Sequence, residues 1–193
     1  MISYSTRKNA FTGTQTFVLD QTGLDIIEDK RSPQRIPLKD ITWIRLEFHP
    51  TRFETNRYRC EITTRQNKQW EFFNRSYEGV ASFRDTSTEY AQFVRELHAA
   101  LPRVNPGCQF IAGCPGARYW INVAAMVFTA LVLIALLAFL VMVGMHWIAL
   151  LKMLLIAAFT PVAIQWLRRN RPRRYQPTEI PEEVLPLPAT ANA

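Results

Sequence analysis

The sequence predicts an α+β soluble domain followed by a two-helix α transmembrane hairpin. Three observations carry that prediction. Residues 1–115 alternate apolar and polar side chains as half-buried strands do, and the alternation then gives way to one amphipathic helical stripe. Beyond it, from Tyr119 to Leu167, the only formal charge is Lys152.

The elements follow in order. "TFVLD" and "LDIIE" flank "QTG", which reads as a hairpin closed at Gly23. In "RIPLKDITWIRLEFHP", Ile44, Leu46 and Phe48 share one face, and in "RYRCEITT" Tyr58, Cys60 and Ile62 do the same. "NKQWEFFN" again reads as half of a hairpin. In "DTSTEYAQFVRELHAAL" the period changes: Asp85 or a neighbouring hydroxyl caps a helix whose stripe is Tyr90, Phe93, Val94, Leu97 and Leu101. Pro102 and Pro106 end it, and "CQFIAG" adds a last short strand. Strands in this order build a bent antiparallel sheet or partly open barrel, capped by the one helix. The domain spans 1–115, with 116–120 as a linker.

The apolar stretch is too long for one membrane span and fits two, 121–143 and 148–167, because a ~30 Å hydrocarbon core takes about 20 helical residues. Gly144 to Trp147 makes the turn. Trp120, Trp147 and Trp166 stand where amphipathic rings meet headgroups. Lys152 lies about one turn into the second helix and its stem snorkels toward the turn. Arg168, Arg169, Arg171, Arg173 and Arg174 follow the second span, and Arg103 and Arg118 precede the first. The positive-inside bias therefore places both termini in the cytoplasm, with a short turn outside, in a multi-pass membrane protein. The N-terminus shows no secretory signal peptide. Small residues at Ala124, Ala130 and Ala135 allow helices to approach closely, and hence an oligomer through the membrane helices. The closing segment, 168–193, is the basic juxtamembrane patch and a proline-rich tail. That tail cannot make a core by itself; it is disordered, docks on a partner, or folds back on its own domain.

The strand pair "IPLKDITWIRLEF" and the helix "TEYAQFVREL" resemble the bacterial pleckstrin-homology-like domains fused to membrane helices, over roughly Gln15 to Leu101. Such domains are mostly binding or scaffolding modules, and the resemblance implies that role here. Phosphoinositide readers usually carry basic residues around the first hairpin; here the turn is "DQTGLD", between Asp20 and Asp25, which disfavours headgroup recognition at that turn. Basic residues gather instead at Arg52, Arg57, Arg59, Arg65 and Lys68, a solvated strand face or a candidate contact for anionic lipid.

Chemistry is not signalled. His49, His98 and His146 occupy three different settings without metal spacing, with His98 expected on the exposed side of its helix. Cys60, Cys108 and Cys114 are odd in number and irregularly spaced, which argues against a disulfide framework and suits a reducing compartment. Glu89 and Glu96 solubilise a helix rather than form an acid–base pair. No phosphate loop, dinucleotide fingerprint or nucleophile elbow is present, so no catalytic residue, cofactor or metal is expected. The net charge of +7 comes mostly from the juxtamembrane patch, and no recognition helix, RNP-like or zinc motif supports nucleic acid. The expected function is a non-catalytic interaction or scaffolding module at the inner membrane, whose partners are the bilayer and an unidentified protein. The alternatives are an accessory subunit of a membrane enzyme or transporter complex, and a membrane-tethered binder of anionic lipid or nucleic acid.

Overall fold

A computed structural model describes residues 1–29, 31–51, 54–79 and 82–186. The chain divides into two compact units, one made of Met1–Gly113 with Arg173–Ala193 and the other of Cys114–Pro172.

The first unit is α+β. Strands β1 (Ile2–Thr6), β2 (Gln15–Leu19), β3 (Gly23–Glu28) and β4 (Arg31–Pro37) form an antiparallel meander. A 3-10 turn, Leu38–Asp40, leads into β5 (Ile41–Phe48), followed by β6 (Tyr58–Thr64) and β7 (Gln69–Phe73). A small hairpin, β8 (Arg75–Gly79) and β9 (Ser82–Asp85), precedes helix α1 (Ser87–Val104). Strands β10 (Gln109–Ala112) and β11 (Arg173–Arg174) complete a second sheet in the order β11-β10-β5-β6-β7.

The period-two face expected from the sequence is the core face: Ile44, Leu46, Cys60 and Ile62 are fully buried. The helical stripe meets it, with Tyr90, Phe93, Val94, Leu97 and Leu101 also at 0% exposure. Phe72 stacks edge-on against Tyr90 and Phe93, at 5.6 and 5.5 Å between ring centres. Burying such rings removes apolar area from water at about 25 cal/mol per Å2, which is what binds helix to sheet.

Two features depart from expectation, and a third selects among the alternatives left open for the tail, that it folds back on its own domain. The hairpin at Gly23 is the second, not the first, because β1 precedes it; Tyr4 anchors β1 by donating its hydroxyl to the Phe73 carbonyl. The first hairpin loop is therefore residues 7–14, which carries Arg7 and Lys8. Strand β10 runs parallel to β5, pairing Phe110 with Ile44, because α1 carries the chain across before it re-enters the sheet. The proline-rich tail belongs to the first unit: β11 extends the second sheet, and Val184 and Leu185 lie in the core at 0% and 6% exposure.

The second unit is a helical hairpin, α2 (Gly116–Met142) and α3 (His146–Arg169), both long and apolar enough to cross a membrane. The residues expected as a linker, 116–120, form the first turns of α2, since after Pro115 nothing in "GARYW" stops a helix. Gly144 adopts φ +80°, and its amide and that of Met145 reach back to Val141 and Leu140 at 3.0 and 2.9 Å. These bonds cap α2 in the left-handed manner glycine allows. Pro161 leaves α3 unbroken, and Thr160 donates its hydroxyl to the Ile156 carbonyl at 2.7 Å.

Candidate interaction surface

The outer face of the second sheet is a ladder of charges. Register places Arg45 opposite Glu61 and Glu47 opposite Arg59 on β5 and β6, and Glu61 opposite Glu71 on β7. Arg59 donates to Glu47 and, at 3.3 Å, to Glu71, while Arg45 reaches Glu61 at 3.5 Å. Lys8 pairs with Glu71, and Arg57 with Glu54 at 2.8 Å. Glu47 and Glu54 are nearly inaccessible, at 2% and 5% exposure, so the carboxylates are held by cations rather than by water. Arg57 also lies 3.9 Å over the Phe73 ring, and burial pulls its basicity down. Burial opposes the charged form of Glu71, yet the ammonium of Lys8 and the guanidinium of Arg59 outweigh it and hold its carboxyl low.

Opposite charges face each other between β5 and β6, and Arg59, which reaches both Glu61 and Glu71, with Lys8 on Glu71, offsets the like pair between β6 and β7. Of the basic residues expected at an anionic surface, Arg57 and Arg59 are committed to these internal pairs. Arg65 and Lys68 stand exposed at the β6–β7 turn, and Arg52 lies outside the described residues. Arg65 and Lys68 rim a shallow cavity of about 480 Å3 with Trp70 and Arg35, whose guanidinium is held by Asp20 and Asp25. The amides of Thr22 and Gly23, together with Arg35, keep the Asp20 carboxyl well below the usual carboxylate range.

The candidate chemistry is placed as follows. His98 is buried rather than exposed: it sits on the core side of α1 at 1% exposure. The reason lies in the tail, whose Tyr175 ring stacks on the imidazole at 5.8 Å. The Nδ1 atom is 2.7 Å from the Val94 carbonyl and Nε2 is 2.7 Å from the Tyr175 hydroxyl. The carbonyl can only accept, so Nδ1–H donates and Nε2 accepts the phenolic proton. Burial pulls the imidazole down to about 4. His49 lies 3.7 Å from Glu47, and His146 opens α3. Glu89 and Glu96 are exposed on α1. The three cysteines are free and buried, with burial pushing the Cys108 thiol up to about 11. Among the described residues, no group of three or more His, Cys, Asp or Glu could hold a metal ion.

The interface residues divide between the two units. Trp120 and Trp147 are exposed, at 67% and 86%, while Trp166 stacks on Tyr119 with ring centres 6.4 Å apart. Arg168 and Arg169 close α3, and Arg171 follows it. Arg173 and Arg174 are strand β11, with Arg173 also paired to Glu183. Sequence reasoning missed the ladder carboxylates and the His98–Tyr175 pair. The ladder had a signal, alternating signs in "RLE" and "RCE", but reading it needed the strand register. Comparison with protein-family models, with curated proteins and with solved structures returns no match.

Proposed function

We propose that this chain is a two-span bacterial inner-membrane protein whose cytoplasmic unit, pleckstrin-homology-like in its order of elements, is a non-catalytic interaction and scaffolding module. The observation that carries the reading is where the apolar hairpin is inserted. The chain leaves the first unit at Gly113 and re-enters it at Arg173, and Ala112 faces Arg173 in neighbouring strands. A hairpin whose two ends join one sheet starts and finishes on the same side of a bilayer. Its helices, 27 and 24 residues, are about 40 and 36 Å long at 1.5 Å per residue, enough for a ~30 Å core. Their apolar side chains point outward, Phe128, Leu131, Phe159 and Val162 all at 60% exposure or more, as suits lipid rather than water. The arginines flanking both ends favour the cytoplasm for that side.

The interaction role draws on the ladder: its charges neutralise one another and stiffen the sheet, leaving Arg65, Lys68 and Trp70 at an open edge to meet a partner. In-cell crosslinking of the full chain, followed by mass spectrometry, tests it. A recurrent protein partner linked through the cytoplasmic unit is expected; crosslinks no more frequent than in a membrane protein chosen as control would overturn the scaffold reading.

A further inference from the structure

The helical hairpin is pinned at its two ends and open between them. Near the turn Leu140 and Ala149 are buried, and at the far end Tyr119 stacks on Trp166. Between those points the helices wall a cavity of about 720 Å3 that runs from Asn122 to Ile134 on α2 and from Lys152 to Ala163 on α3. At 1.5 Å per residue the walls are ~17 Å long; they run from Lys152, four residues inside the turn-side boundary at 148, past the bilayer midplane to Asn122 beside the opposite boundary. The lining is overwhelmingly apolar, and the Thr160 hydroxyl on it is already bonded to its own helix.

One charge breaks that pattern, and it stands at one end. Lys152, half-buried, is the lining residue of α3 nearest the turn. No Asp or Glu occurs between Arg118 and Arg174, so the hairpin offers its ammonium no counter-ion. Side chains on a helix lean toward its N-terminus, which for α3 is the turn, so the ammonium is directed toward headgroup level. A long apolar channel, with a cation at its turn-side end whose stem reaches the headgroups, has the shape and polarity of an amphiphile with an acidic head. A carboxylate on a partner's helix would be a rival counter-ion, but it would not account for the length of apolar groove running away from the charge.

We propose that this groove binds one anionic phospholipid of the leaflet on the turn side, its acyl chain between α2 and α3 and its phosphate on Lys152. The assignment rests on the membrane-spanning reading above. A single ammonium–phosphate contact near the surface favours an acidic over a zwitterionic lipid by about fivefold.

The test uses the full chain, purified in detergent, stripped of lipid and titrated with phosphatidylglycerol or phosphatidylcholine, with bound lipid counted by native mass spectrometry. One phosphatidylglycerol per chain is expected, preferred by about fivefold over phosphatidylcholine. Lys152→Gln should abolish the preference and Lys152→Arg should keep it, which separates loss of charge from misfolding. Thr129→Phe, which fills the groove, should weaken both lipids. An undiminished preference in Lys152→Gln overturns the proposal, as does equal binding of the two lipids, or a dimer or protein partner that Lys152→Gln releases. A chain that stays in the aqueous phase on detergent phase separation overturns the membrane reading itself. One that enters the detergent phase yet shows no lipid preference overturns only the lipid assignment.

Discussion

His98 shows how one buried side chain ties the tail to the domain. Its pKa, about 4 when folded, lies below the ~6.5 of a free imidazole, so between those values the unfolded chain binds more protons than the folded one. The stability due to the neutral ring is full above ~6.5 and is lost as pH falls toward 4, at a cost of roughly 2–3 kcal/mol. Thermal unfolding of the full chain in detergent should therefore fall off between pH 6.5 and 4.5, and more steeply than in His98→Gln. Tyr175→Phe removes the proton that Nε2 accepts, leaving a buried acceptor unsatisfied, and should cost about 1–3 kcal/mol at pH 7 in the same measurement. On the outer face, Arg59→Leu removes the guanidinium that Arg59 donates to Glu47, a carboxylate at 2% exposure. A loss of roughly 2–4 kcal/mol is expected there, against a near-zero effect for Arg65→Leu, whose side chain is exposed.

Among the elements, the tail departs most from what its composition suggests. Four prolines and a few scattered apolar residues read as a chain that cannot make a core, and alone it does not. It borrows one: β11 joins the edge of β10, and Tyr175, Val184 and Leu185 enter a cluster built by residues 2–112. Truncation after Pro172 should therefore lower the unfolding temperature by several degrees and expose the Cys108 thiol to alkylation, where removing a solvated tail would change neither. Elements with many repeats of their period were legible in the sequence. The stripe of α1 runs from Tyr90 to Leu101, and the apolar helices are longer still. β1, with Tyr4 its one large buried ring, and β11, two arginines long, carry too few periods to register. The partner of β11 moreover lies across the whole apolar hairpin, at Ile111, whereas β1 pairs locally with β2. The charge ladder was hidden for the same reason: Arg57 and Arg59 read as a basic surface until register set Glu47 and Glu61 beside Arg59 and the strand lead-in set Glu54 beside Arg57.

At the scale of the whole molecule, the central claim is that one cytoplasmic unit is closed by chain from both sides of a membrane hairpin. Counting arginines is one reason to put both ends on one side; the pairing of β10 with β11 is an independent one, since strands separated by the whole apolar hairpin lie side by side in one sheet. The most direct test is cysteine labelling of the full chain in intact cells with a membrane-impermeant maleimide, the native cysteines being buried. Single cysteines replace Gln21 in the first unit, Met145 at the turn and Thr178 in the tail. The account predicts labelling of Met145→Cys in intact cells, and of Gln21→Cys and Thr178→Cys only after the inner membrane is opened. Labelling of either of the latter two in intact cells, or a turn that stays protected, would contradict it.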